Sequence, residues 1–133
     1  MQGSIIPIFL SQLNAAKRGH FIYVKVEYTV ITLRLLEMFL EIGIIRGYHF
    51  VLKENKIKVV MRYLTGSFGV FFKIEQVSRP GKRVFVDIMH LLKLKENDSG
   101  NDIYIISTSK GLMFDSECLL RNMGGEVLLK IVM

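Results

Sequence analysis

Residues 103 to 113 read Ile-Tyr-Ile-Ile-Ser-Thr-Ser-Lys-Gly-Leu-Met, an apolar run that breaks into three hydroxyls, a lysine and a glycine. Ser107, Thr108 and Ser109 each offer a short donor and acceptor, Lys110 offers a point positive charge, and Gly111 permits close approach or chain reversal. Such a set suits a phosphate or a nucleobase edge. It suits an ordinary turn at a strand end equally well, because Ser and Gly populate turns everywhere. A second cluster, Ser78-Arg79-Pro80-Gly81-Lys82-Arg83, places three cations around a Pro-Gly pair. That pair predicts a type II turn, with Pro presetting the first central φ and Gly supplying a positive second one. The pair Gly124-Gly125 precedes Glu126, and a positive φ is expected at Gly125, where a helix must stop and a strand begin.

Residue type and spacing argue against other chemistry. His20, His49 and His90 are scattered singly, and no carboxylate or cysteine stands near them at a metal-ligand spacing. The single cysteine, Cys118, rules out an internal disulfide, and its neighbours Leu119 and Leu120 favour a buried thiol over a nucleophile. The hydroxyl cluster lacks the first glycine of a phosphate-binding Walker loop, and its lysine precedes the final glycine. Ser107 and Lys110 do have the Ser-x-x-Lys spacing of serine acyltransferases, but the accessory motifs are missing. No cofactor, metal or small-molecule substrate is expected.

These residues need a scaffold, and 133 residues suffice for one domain or two small lobes. Half of the residues are hydrophobic and mean hydropathy is +0.35, yet the most apolar stretch, Val30 to Ile45, is interrupted by Arg34, Glu37 and Glu41. No membrane span or leader segment is therefore expected. The net charge of +6 suits a polyanionic partner. It is uneven: residues 1–66 carry nine Lys or Arg against four Glu, whereas residues 67–133 carry nine against eight acids.

Hydrophobic spacing predicts a helix over 4–17 with Ser4 as its N-cap, a strand over 20–26, and a second helix over 29–42 stopped by Gly43. Strands follow over 44–52 and 56–63, with Lys56, Lys58 and Arg62 forming a cationic row on one face. The glycine-bearing segment 65–69 is the expected lobe boundary. Beyond it come a strand over 70–77, the Pro-Gly turn, a strand over 84–86, and a short helix over 87–92 capped by Asp87. A polar loop over 95–102, a strand over 103–106, a helix over 115–122 and a final strand over 126–132 complete the chain. The expected fold is α+β in two lobes, 1–66 and 67–133, the first helix-strand-helix-strand-strand and the second β-rich with a short helix.

Val77-Ser78-Arg79-Pro80-Gly81-Lys82-Arg83, then Ile106-Ser107-Thr108-Ser109-Lys110-Gly111-Leu112-Met113, then Gly124-Gly125-Glu126-Val127 occur in that order and spacing. Together they resemble the family of ribosomal protein eight of the small subunit, and Asn14-Ala15 with Lys17-Arg18 matches loosely at the end of the first helix. The resemblance implies a two-lobed, non-catalytic protein that binds the central domain of small-subunit rRNA early in assembly and touches neighbouring ribosomal proteins. It implies that the hydroxyl segment Ser107, Thr108, Ser109, Lys110, Gly111 and the turn Gly124, Gly125, Glu126 face RNA. Arg79, Lys82, Arg83, Lys17 and Arg18 would supply cations, and Glu126 would accept from a base edge or orient Lys110. The chain departs from the family pattern at Phe114, where a threonine is usual, and at Val26-Glu27-Tyr28-Thr29-Val30, where a basic Ser-Lys segment is usual. Near the first helix, Ser11, Gln12 and Leu13 replace the usual basic residues. The enrichment in Ile, Phe and Met without tryptophan points to an organellar, mitochondrial ribosome, with bacteria or plastids as the alternative. Two rivals remain, a soluble Ser-x-x-Lys enzyme and a protein-binding scaffold that has lost RNA contact.

Overall fold

A computed structural model describes residues 2–64, 70–71, 73–97 and 101–133. The chain divides into two compact units, Met1–Phe71 and Phe72–Met133. The segment 65–69, where the glycines suggest a boundary, lies outside the described residues. No described helix is long and apolar enough to cross a membrane.

In the first unit, helix α1 (Gln2–Arg18) is followed by β1 (Tyr23–Glu27), α2 (Val30–Ile42), β2 (Ile45–Val51), a single 3-10 turn (Leu52–Glu54) and β3 (Lys56–Met61). Helix α1 starts before Ser4, which therefore lies inside the helix. Its apolar stripe, Ile6, Phe9, Leu13 and Ala16, is buried, and Phe9 stacks on Phe39 of α2 at 6.1 Å. The strand expected from residue 20 begins only at Tyr23, because His20 (φ +56) reverses the chain and the Phe21 amide bonds back to Ala16.

Helix α2 has the expected ends. Thr29 accepts from the Thr32 amide through its hydroxyl at 3.1 Å, and Gly43 at φ +82 caps the other end with bonds to Phe39 and Leu40. The three strands form an antiparallel sheet in the order β1-β3-β2. In β3, Ile57, Val59 and Met61 are buried while Lys56 and Lys58 face outward, so alternation holds over the strand. Arg62 lies past the strand and donates to the Gly43 carbonyl at 2.9 Å, so the cationic row consists of the two lysines without it. Arg62 reinforces the carbonyl end of α2.

The second unit contains β4 (Lys73–Gln76), β5 (Phe85–Val86), α3 (Ile88–Asn97), β6 (Ile103–Thr108), β7 (Gly111–Phe114), α4 (Asp115–Arg121) and β8 (Gly125–Val132). Its antiparallel sheet runs β4-β8-β6-β7, with β5 also pairing along β8. Helices α3 and α4 cover one face, over a core of Leu91, Tyr104, Ile106, Met113, Cys118 and Val127. Helix α3 runs through Asn97 instead of stopping at residue 92. Leu91 and Leu94 continue its apolar stripe, and Lys95 is held by the Asp102 carbonyl at 2.7 Å and the Asp115 carboxylate at 2.8 Å. Asp115 also accepts from the Tyr104 amide at 3.2 Å, tying α3, α4 and β6 to one buried carboxylate. Its two charge-assisted bonds satisfy a group whose burial would otherwise be costly. A bulge in the β6–β8 pairing, between Ile105 and Ile106, lets Ile106 and Val127 face the helices while Ile105 and Leu129 are buried on the opposite face.

Candidate nucleic-acid interface

The hydroxyl segment is a tight hairpin rather than a loop. Strand β6 continues through Thr108 and β7 starts at Gly111, with Thr108 paired to Gly111. Only Ser109 and Lys110 form the connection. The strand extends because each residue to Thr108 finds a partner on β7, and Ser107 also pairs with β8. Gly111 holds φ +104, a conformation that side chains resist, so the glycine closes the hairpin. Thr108 is committed within it. Its hydroxyl donates to the Gly111 carbonyl at 2.8 Å and accepts from the Lys110 amide at 3.1 Å. Thr108 therefore shapes the tip and has no proton left to offer a ligand. Ser109 and Lys110 are exposed, and among the described residues neither side chain has a partner within the chain.

Alternation decides what lies beside the tip. Ile106, Met113 and Val127 face the helices, so Ser107, Leu112 and Glu126 face the other way. The registers Ser107↔Leu112, Ser107↔Glu126 and Phe85↔Glu126 align these side chains as one row across four strands. Phe85, at 65% exposure, ends the row with an open aromatic ring. Among the described residues Glu126 pairs with Arg83, at 4.0 Å, and no ion pair joins it to Lys110, the cation it is expected to orient as one of two alternatives. The sheet register sets Phe85 opposite Glu126, and Arg83, two residues earlier, reaches the carboxylate diagonally, whereas Lys110 is carried off to the hairpin tip.

The glycine pair is there for packing. Neither Gly124 nor Gly125 has a positive φ, and the left-handed residue that stops α4 is Asn122, at φ +56. A Cβ on Gly125 would overlap the Ser107 carbonyl oxygen and lie 3.0 Å from its carbonyl carbon; one on Gly124 would overlap the Val86 carbonyl and lie 2.9 Å from the Asp87 Cα. Side-chain-free residues let the start of β8 thread between β5 and β6. The expectation of a positive φ at Gly125 is thus corrected.

The Pro-Gly turn closes through Arg79 and Lys82, which exchange backbone bonds at 3.1 and 2.9 Å. Gly81 has no positive φ, which excludes type II. Buried Ser78 sets the base of this turn, accepting from the Val84 amide at 2.8 Å and donating to its carbonyl at 3.3 Å. Motif spacing does not single out Ser78 for this role; the one local signal is a hydroxyl standing directly before a cationic turn. Arg79, Lys82 and Arg83 are all exposed. Lys17 and Arg18 close α1 in the other unit, with Arg18 exposed and Lys17 half-buried.

Among the described residues no group of three or more His, Cys, Asp or Glu could hold a metal. Cys118 is buried, and burial pushes its thiol above the ordinary range, with Asp115 and Glu117 adding to the effect. The register pairs Ser107 with Leu112 and Glu126 and leaves Lys110 in the hairpin connection, and among the described residues no hydrogen bond joins the two.

A family model described as Ribosomal protein S8 matches residues 5–132. The chain is similar to the small ribosomal subunit protein uS8 of Syntrophus aciditrophicus, at 34% identity over 92% of each chain. It is also similar to the proteins of the same name from Mycoplasmopsis pulmonis, at 35% identity over 86% of this chain and 85% of that one, and from Wolinella succinogenes, at 32% over 98% and 99%.

Proposed function

Because the chain belongs to the ribosomal protein S8 family, we propose that it is a non-catalytic constituent of the small ribosomal subunit whose C-terminal unit grips small-subunit rRNA. The observation that carries this is the row Leu112, Ser107, Glu126 and Phe85 beside a hairpin tip whose Ser109 and Lys110 are uncommitted. A hydroxyl, a carboxylate and an aromatic face supply hydrogen-bonding and stacking partners for distorted or unpaired RNA. Lys110 and the cations of the Pro-Gly turn add phosphate contacts, which position without reading sequence. Glu126, compensated by Arg83, acts as an acceptor for a base-edge donor and so contributes selectivity.

The partner is assigned as the central domain of small-subunit rRNA, bound early in assembly, with neighbouring ribosomal proteins covering other surfaces. Composition supports a mitochondrial ribosome: no tryptophan, seven Met, nine Phe and a positive mean hydropathy. Sedimentation of the tagged protein with mitochondrial, rather than cytosolic or plastid, small subunits checks that assignment.

Ser109→Ala is the direct test of RNA reading by the hairpin. Among the described residues the hydroxyl has no partner in the chain, so its loss should leave stability unchanged. If it donates to a base edge or a 2′-hydroxyl in a dry contact, affinity for a cognate rRNA fragment falls by about 1 to 3 kcal/mol at constant salt slope. Equal binding by parent and variant would refute the assignment at this residue.

A further inference from the structure

The first unit carries an open depression of about 280 Å³ lined by Tyr28, Phe50, Val51, Leu52, Asn55 and Lys56. Tyr28 and Phe50 meet edge to face at 5.5 Å, and they are 40% and 47% exposed. Asn55 adopts the left-handed region (φ +54), its amide bonded to Leu52 and its carbonyl accepting from Tyr28, each at 3.4 Å. Among the described residues its side-chain amide has no partner in the chain. Among the described residues Lys56 is the single charged residue of the lining. It stands opposite Glu27 in the β1–β3 register, yet no ion pair joins them among the described residues. Glu54, the acid nearest in sequence, is engaged by Lys25 at 2.9 Å, with Lys56 adding a weaker attraction to its carboxylate, and it does not line the depression.

We propose that this depression receives one unpaired RNA nucleotide. Its base stacks on Phe50 and Tyr28, one base edge bonds the Asn55 amide, and a phosphate lies beside Lys56. The pocket rests on the rRNA-binding reading above and extends it to the N-terminal unit. An apolar side chain of a partner protein would cover the rings but leave the Asn55 amide desolvated without a partner and bring no anion to Lys56, a cost that a nucleotide avoids. Aromatic stacking tolerates any base, and Asn55, as donor and acceptor, adds a preference.

The test uses the full chain and a short single-stranded RNA carrying 2-aminopurine, whose emission falls when it stacks on an aromatic ring. The parent should quench the probe. Phe50→Ala should abolish the quenching and weaken binding roughly tenfold or more, while Phe50→Tyr should keep both. Lys56→Ala should lower the salt slope by about one unit or less, and Asn55→Ala should alter base preference at unchanged slope. RNA binding without quenching, or quenching that survives Phe50→Ala, would overturn the nucleotide pocket while leaving the ribosomal reading intact. A benzophenone placed at Phe50 that cross-links only to protein in assembled subunits would also overturn it. Failure of the parent to bind any rRNA fragment would instead reject the RNA-binding reading on which the pocket depends.

Discussion

Lys110 is carried at the tip of a two-residue connection, its amide pinned by Thr108 and its ammonium exposed. A charge so placed neutralises a phosphate without selecting a base. Lys110→Ala should therefore weaken binding to all RNAs about equally and lower the slope of log K against log salt by roughly one unit or less, with melting unchanged. An identical slope would show that the tip points away from RNA. Gly125 answers to stability first. Gly125→Val drives a branched side chain into the Ser107 carbonyl and the Ile106 Cγ2 atom, so β8 must separate from β6 at the row itself. Overpacking of this kind costs on the order of 1 to 3 kcal/mol, and more where the obstacle is backbone. Thermal melting would reveal it. Because the obstacle is backbone, Gly125→Ala should be destabilising too, which a merely open position would not show.

Helix α3 illustrates how single groups govern an element. Asp87 caps it, accepting from the His90 amide at 2.9 Å, and His90 Nδ1 lies 3.0 Å from the same oxygen. The backbone bond from His90, aided by the ring's charge, holds the carboxyl below its ordinary value of 3.8. A depressed carboxylate contributes stability that is complete above that ordinary value and disappears as pH falls through the lower folded one. The parent should thus lose an increment on acidification that Asp87→Asn lacks, read as a smaller difference in melting temperature between the two at strongly acidic pH than at neutrality. A constant difference would exclude the cap's titration. The other end of α3 is tied down by Lys95, whose ammonium reaches the Asp102 carbonyl and the Asp115 carboxylate.

For the whole molecule, the net charge lies mostly in residues 1–66, whereas the hydroxyl hairpin and the glycine pair belong to the second unit. Either both units hold RNA or the first contributes only a diffuse field. The double change Lys17→Ala with Arg18→Ala decides this for the end of α1. Removing two cations that each touch a phosphate should lower the salt slope by about 1 to 2 units, whereas long-range attraction alone leaves the slope nearly intact. The measurement is a salt titration of rRNA binding by the full chain.

Local signals were legible in the chain itself. Thr29 and Gly43 mark the ends of α2, alternation in Lys56–Met61 identifies β3, and the three ordered motifs point to the family, because capping, period and turn chemistry act over a few residues. Tertiary structure decided the roles. Thr108 reads as a ligand contact until pairing with β7 commits its hydroxyl to the hairpin. Gly125 reads as a positive-φ stop until Asn122 takes that role and the Ser107 carbonyl explains the missing side chain. Glu126 finds Arg83 instead of Lys110, and Tyr28 meets Phe50 and Asn55 from distant positions in the chain. Register across strands and the close approach of separate backbones are non-local, so no window of sequence contains them.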